Sequence, residues 1–163
     1  MTNPLKLGGP APAFNLVATD PANITAQKQF TLDDFSGRSL VLYFYPRDNT
    51  PGCTTQAMSF TEHLAAFEAE NTSILGVSTD SMASHRKFTE KKDLKIPLGS
   101  DESLDVCKAY GVWVEKKMYG KTFMGVQRST FLISPDGKLV HAWNKVKVKD
   151  HIADVLSLIK SKS

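Results

Sequence analysis

The sequence predicts an α/β fold: a mixed central sheet with helices on both faces and a β extension at the N-terminus. Three observations carry this. Residues 39–45 are nearly all apolar, β-branched or aromatic, and 72–78 repeat that character. A strand apolar on both faces belongs inside a sheet that helices cover. Between the two runs lies a segment of helical character opening at Thr50-Pro51-Gly52-Cys53, and a strand–helix–strand unit of this kind demands a parallel pair with a right-handed crossover. Further on, 128–133 and 138–143 flank Ser134-Pro135-Asp136-Gly137, a turn with proline second and glycine fourth, so the sheet closes with an antiparallel hairpin.

In chain order, residues 1–13 hold Pro10 and Pro12 and read as an extended lead-in. Residues 14–17 form a short strand, and 19–23 have turn chemistry, a hairpin loop before a strand at Gln29-Phe30-Thr31. Residues 31–35 make a single capped helical turn that Ser36-Gly37 stops. After the central strand, a helix is expected from Pro51 to about Glu70, with Met58, Phe60, Leu64, Ala65 and Phe67 on its apolar face. Asp80 or Ser81 caps a helix over about 82–92. The proline-containing 94–98 reads as an edge strand or extended loop. Residues 101–111 form a compact helix ended by Gly111, and 114–126 a long basic loop. Asp150 caps a final helix through Lys160, with Ile152, Val155, Leu156 and Ile159 on one face. This order resembles a thioredoxin-like arrangement with an N-terminal β extension. It has no visible domain boundary or repeat, so one domain over 1–163, with a core of about 4–160, is expected.

The bulk numbers exclude more than they assign. A chain of 163 residues suffices for one full core. Its net charge of +3 is too mild to argue for nucleic acid or a membrane surface. The N-terminus has no apolar signal region and no apolar run approaches a membrane span, so a cytoplasmic protein is expected. Four histidines are scattered without ligand spacing and read as solvated; no metal or cofactor is expected. Two cysteines make no disulfide scaffold, which leaves thiol chemistry.

Cys53 is the candidate. Thr50 is a good N-cap, Pro51 suits the first helical position, and Gly52 permits close backbone approach. Cys53 is then the third helical residue, where unsatisfied amides and the helix dipole favour a thiolate. A lone cysteine is usually a small buried hydrophobe, but this setting points to a reactive one. A thiol–disulfide oxidoreductase would need Cys-x-x-Cys, and position 56 is glutamine.

The stretch Tyr45-Pro46-Arg47-Asp48-Asn49-Thr50-Pro51-Gly52-Cys53-Thr54 resembles the active-site loop of peroxiredoxins, and more closely that of the bacterioferritin comigratory protein, or peroxiredoxin Q, branch. The resemblance extends through Tyr110-Gly111-Val112-Trp113, residues 120–133 and the closing helix. It implies a thioredoxin fold and a thiol peroxidase acting on hydrogen peroxide and organic hydroperoxides. It implies Cys53 as the peroxidatic nucleophile, oxidised to a sulfenic acid. Arg128 supplies a permanent cation to thiolate and peroxide, Thr50 a hydroxyl for both, and Pro46 a shield from water. Backbone N–H groups at Gly52 and Cys53 can stabilise charge on the departing oxygen. Trp113, with Met118 and Phe123, could form an apolar collar over the substrate; packing is the alternative. Tyr43 and Tyr45 read as strand packing, and the lysines of 115–121 and 145–149 as solubilising charge.

One departure matters. Many members of the branch carry a resolving cysteine five residues after the first, here Met58, or on the next helix, here near Thr89. The remaining thiol, Cys107, reads as a buried small hydrophobe, with an atypical resolving partner as the alternative. A one-cysteine mechanism is expected, with thioredoxin, glutaredoxin or a small thiol as external reductant and a monomer as the working form. A non-enzymatic redox sensor or holdase-type protein switched by Cys53 oxidation is the competing reading. The absence of a large exposed apolar stripe in the sequence speaks mildly against it.

Overall fold

The computed structural model describes residues 5–162. The first residues of the expected lead-in therefore lie outside the described residues, as does Ser163. The chain begins with a hairpin of β1 (Asn15–Thr19) and β2 (Gln27–Thr31), followed by a 3₁₀ turn at Leu32–Phe35. The Asp34 carboxylate holds the start of that turn, accepting from Thr31 N–H at 2.7 Å. Then come β3 (Ser39–Phe44), α1 (Pro51–Glu62), α2 (Leu64–Ala69), β4 (Thr72–Ser78), α3 (Met82–Lys92) and β5 (Leu98–Ser100). The rest is α4 (Asp105–Ala109), β6 (Trp113–Met118), β7 (Lys121–Val126), β8 (Ser129–Ile133), β9 (Leu139–Trp143) and α5 (His151–Ser161).

Seven strands form one sheet in the order β2-β1-β5-β4-β3-β8-β9. β3 pairs parallel with β4, as the strand–helix–strand unit requires, and antiparallel with β8. Alternation along β3 divides the core. Leu40, Leu42 and Phe44 point into one cluster with Phe131, Val106 and Cys107. Val41, Tyr43 and Tyr45 point into the other, with Cys53, Phe60, Phe67, Phe88 and Val155. The pairing of β3 and β4 is tight where Tyr43 meets Gly76: a Cβ on Gly76 would lie 2.7 Å from the Tyr43 ring, so a side chain there would force the strands to shift.

Several expected elements need correction. The helix over 51–70 is two helices, broken at His63, whose backbone leaves the helical region at φ −98°, ψ 7°. Its ring reaches back to the Ser59 carbonyl at 2.8 Å, competing with the regular ladder. Of the two expectations for 94–98, edge strand or extended loop, residues 94–97 are loop and the strand starts only at Leu98, because Pro97 has no N–H to pair; its carbonyl accepts from Gly76 N–H at 3.1 Å. That strand is also internal, not an edge, lying between β1 and β4. The helix expected over 101–111 is confined to α4. Leu104 sits at φ +71°, and the Asp101 carboxylate receives the N–H groups of Val106 and Cys107 at 3.3 and 2.7 Å, which starts the helix late. Residues 114–126 are not a loop: β6 and β7 pair antiparallel from Trp113↔Val126 to Met118↔Lys121. Tyr119 and Gly120 turn between them with φ of +54° and +76°, the mirror-image geometry that matches strand twist. This hairpin exposes Met118, Tyr119, Phe123 and Met124, so an exposed apolar surface exists after all. At α5, Asp150 lies at φ +61° and makes no side-chain cap bond, whereas Ser81 caps α3 as expected, accepting from Ser84 N–H at 3.2 Å.

Candidate active site

The loop from β3 to α1 places Cys53 in the first turn of a 12-residue helix, beneath the loop and against the sheet. Thr50 has the extended backbone of an N-cap, at φ −96° and ψ 157°, and Pro51 follows at the first helical position. The Thr50 hydroxyl does not bond a helix amide as expected. It donates to the Arg47 carbonyl at 3.0 Å, closing the loop on itself and leaving its oxygen to act as an acceptor. Cys53 is 2% exposed, packed among Tyr43, Tyr45, Ala57 and Phe60.

Arg128 comes from the residue just before β8, 75 positions away in sequence. Its Nη2 donates to Cys53 Sγ at 3.3 Å, and its Nη1 donates to Gln56 Oε1 at 2.6 Å. The guanidinium is thus held by a fully buried amide three residues after the thiol, on the same helical face. Arg128 O accepts from Val146 N–H at 2.9 Å, which ties the stretch after β9 to the site. Gly52 has a definite reason to be glycine. A Cβ there would lie 3.2 Å from Arg128 Nη2, a side-chain end that is already bonded and cannot move cheaply. Pro46 is half-buried at the start of the loop, after Tyr45.

The electrostatics centre on the same pair. The partly buried Lys116 ammonium, on β6, is pushed below the ordinary lysine range by burial and by the Arg128 cation, while Cys53 opposes the shift. Burial raises Tyr43 well above the usual phenol range, with Cys53 and Asp48 adding and Arg128 opposing. The Tyr43 hydroxyl and Gln56 Nε2 are buried without a hydrogen-bond partner among the described residues. His151 lies behind this region, its Nε2 at 2.8 Å from Thr130 Oγ1; burial brings it down to about 4, with Arg128 acting in the same direction.

The remaining candidates separate. Trp113 does not reach Cys53: it packs on the other face of the sheet, beside Tyr110 and Phe131. Cys107 is fully buried in that same far cluster. Burial pushes its thiol well above the ordinary cysteine range, and the adjacent Asp101 carboxylate pushes the same way. Both cysteines are free thiols. Two of the four histidines are not solvated, since His85 is fully buried and His151 is 4% exposed. Among the described residues, no three His, Cys, Asp or Glu side chains are grouped to hold a metal ion. Sequence reasoning missed Gln56 as the partner of Arg128 and Lys116 as a neighbour of Arg128 and Cys53, and it missed the burial of His85. Gln56 had a usable signal, its i, i+3 spacing from Cys53; the others depend on how distant segments meet.

A family model described as the AhpC/TSA family matches residues 7–142. Peroxiredoxin Bcp of Xanthomonas campestris pv. campestris is 45% identical over 152 residues, covering 93% of this chain and 92% of that protein. Peroxiredoxin Bcp of Bacillus subtilis is 47% identical over 132 residues, 81% of this chain and 84% of that protein. A solved structure of the Xanthomonas campestris bacterioferritin comigratory protein, from work on its alkyl peroxide reduction activity, superposes with a TM-score of 0.86 at 42% identity, covering 98% of each chain. With the Thr50-to-Cys53 helix start, the distant arginine on the sulfur and these similarities together, the chain belongs to the AhpC/TSA family of thiol peroxidases, in its bacterioferritin comigratory protein, or peroxiredoxin Q, branch.

Proposed function

We propose that Cys53 is the peroxidatic cysteine and that the chain works by a one-cysteine cycle with an external thiol as reductant. The observation that carries the first part is the 3.3 Å hydrogen bond from Arg128 to Cys53 Sγ in the first turn of α1. In the proposed step the sulfur attacks one peroxide oxygen. An S–O bond forms, the O–O bond breaks, cysteine is oxidised by two electrons to a sulfenic acid, and the other oxygen leaves with a proton as water or alcohol. Arg128 stabilises the thiolate and the charge that develops on the oxygens, and Gln56 keeps it in place. Thr50 accepts a hydrogen bond from the incoming hydroperoxide, first-turn N–H groups at Gly52 and Cys53 receive the departing oxygen, and Pro46 limits water. Alkyl peroxide reduction by the Xanthomonas campestris relative supports organic hydroperoxides as substrates beside hydrogen peroxide.

The second part rests on what stands at the resolving positions. Met58 and Thr89 carry no thiol, and Cys107 lies on the opposite side of the sheet from Cys53. Thioredoxin, glutaredoxin or a low-molecular-weight thiol therefore reduces the sulfenic acid. Two free cysteines fit a reducing compartment such as the cytoplasm. No helix of the described residues is long and apolar enough to cross a membrane. A single-domain monomer is the working form, which sedimentation of the reduced and oxidised chain would test. The function is tested by following peroxide loss with each reductant supplied in turn. Sustained turnover that Cys53→Ser abolishes is expected. Loss of only one equivalent per chain, with every reductant present, would favour a sensor instead.

A further inference from the structure

The loop between β3 and α1 is fastened to α3 and β5 by a buried polar cluster that the peroxide step does not itself consume. His85 is fully buried, and the Asp48 side chain is 3% exposed. His85 Nδ1 lies 2.7 Å from Asp48 Oδ2, and His85 Nε2 lies 2.9 Å from the Gly99 carbonyl of β5. Tyr45 donates its hydroxyl to Asp48 Oδ1 at 2.5 Å, and Ser84, in the first turn of α3, donates to Oδ2 at 2.8 Å. The Asp48 backbone is held as well: its N–H donates to Asp80 Oδ2 at 2.8 Å, and Asp80 accepts from Ser78 Oγ at 2.7 Å.

The proton positions follow from the partners. A carbonyl oxygen only accepts, so Nε2 carries a hydrogen. The hydrogen on the 2.7 Å contact between Nδ1 and Asp48 Oδ2 is carried by one atom or the other. Either way both Asp48 oxygens are engaged, and a buried carboxyl group satisfied this fully is rigid. A contact that served packing alone would be met as well by hydrocarbon, because burying such a pair is costly.

Position says what the cluster does. Asp48 lies five residues before Cys53, between Arg47, whose carbonyl takes the Thr50 hydroxyl, and Asn49, whose φ is +59°. Fixing Asp48 therefore fixes the turn that delivers Thr50 and the first amides of α1. We propose that His85 is a positioning residue for peroxide reduction: through Asp48 it locks the 46–50 loop onto α3 and β5, holding Thr50 and the first turn of α1 in register with Cys53. The inference rests on the reading of Cys53 as the peroxidatic cysteine.

The test compares two reactions of the same thiol in the full chain, oxidation by hydrogen peroxide and alkylation by iodoacetamide. Alkylation needs only a reachable thiolate, whereas peroxide attack also needs the oriented donors of the loop. His85→Leu is expected to slow peroxide oxidation by about tenfold or more while alkylation stays within about twofold. Asp48→Asn is expected to stay within about threefold of the parent in peroxide rate, since an amide can accept from Tyr45 and donate to neutral Nδ1, whereas Asp48→Ala loses at least about tenfold. An unchanged peroxide rate in His85→Leu would overturn the proposal, and so would an equal fall in both reactions, the mark of general loosening. If His85→Leu does not fold, Tyr45→Phe and Ser84→Ala each remove one bond to Asp48. Each is expected to slow peroxide oxidation selectively, and no loss in either would overturn the proposal. A parent chain that ignores peroxide would instead defeat the reading of Cys53, and this inference with it.

Discussion

Cys53 and Cys107 are both free, both buried and both carried on helices packed against the same strand, β3, yet they face opposite sides of it. Burial alone therefore does not distinguish them. The distinction comes from the charged group that each meets. Cys53 receives a hydrogen bond from the Arg128 guanidinium at 3.3 Å in the first turn of a long helix, where the dipole also favours negative charge. Cys107 sits beside the Asp101 carboxylate in a five-residue helix, where burial and that anion both oppose ionisation. On the proposed reading the same residue type serves as a nucleophile on one face of the sheet and as a small hydrophobe on the other, because the sheet separates a cation from an anion.

The strongest way to break this contrast is to exchange the roles of the two thiols. Cys53→Ser is expected to remove peroxide consumption, whereas Cys107→Ser keeps turnover within about twofold of the parent, because it exchanges the thiol for a small hydroxyl that can likewise donate to Asp101. A Cys107→Ser chain that reacts once and never turns over would contradict the one-cysteine cycle. Next comes the cation. Arg128→Met should slow the reaction of Cys53 with hydrogen peroxide by roughly a hundredfold or more in stopped-flow measurements. Arg128→Lys should recover little of that loss, since a single ammonium nitrogen does not reproduce the planar fork in which Nη1 holds Gln56 while Nη2 holds the sulfur. Gln56→Leu should cost about tenfold, by releasing the guanidinium without removing it. Gly52→Ala should cost less, a few-fold, because it presses a methyl group toward Arg128 Nη2.

The smallest effect concerns stability. His151 is brought down to about 4 in the folded chain from an ordinary value of 6.5. Between these values the unfolded chain binds the proton and the folded chain does not, so stability rises with pH across that window. Its contribution is complete above about pH 6.5 and is lost as pH falls toward 4. Urea midpoints measured at several pH values should show this slope, and His151→Gln should flatten it.

Much of the fold was legible because the signals were local. The apolar run of β3, the Pro-Asp-Gly turn before β9, the Ser81 cap and the apolar face of α5 each depend on a few adjacent residues. The helix start that carries the candidate site was legible for the same reason, since Thr50 is the N-cap of α1 and Pro51 opens it. What escaped was set by distant contacts. β5 is three residues long, contains Gly99, and becomes a strand only because β1 and β4 flank it. The β6–β7 hairpin lacks an Asn-Gly signal and turns at Tyr119-Gly120 despite the strained φ of the tyrosine. His85 looked like one more polar residue on a mixed helix, and only the folding of the 46–50 loop onto α3 gives it Asp48 as a partner. Trp113 failed in the opposite direction, because no local pattern says which side of the sheet a residue at the start of a hairpin will join.

The central claim, a thiol activated on one face of the sheet with no partner able to cross it, is tested most directly by peptide mass spectrometry. The chain would be treated with one equivalent of hydrogen peroxide and trapped with dimedone. The account predicts a sulfenic adduct on the Cys53 peptide with Cys107 still free. A linked Cys53–Cys107 peptide, or an adduct on Cys107 with Cys53 untouched, would contradict it.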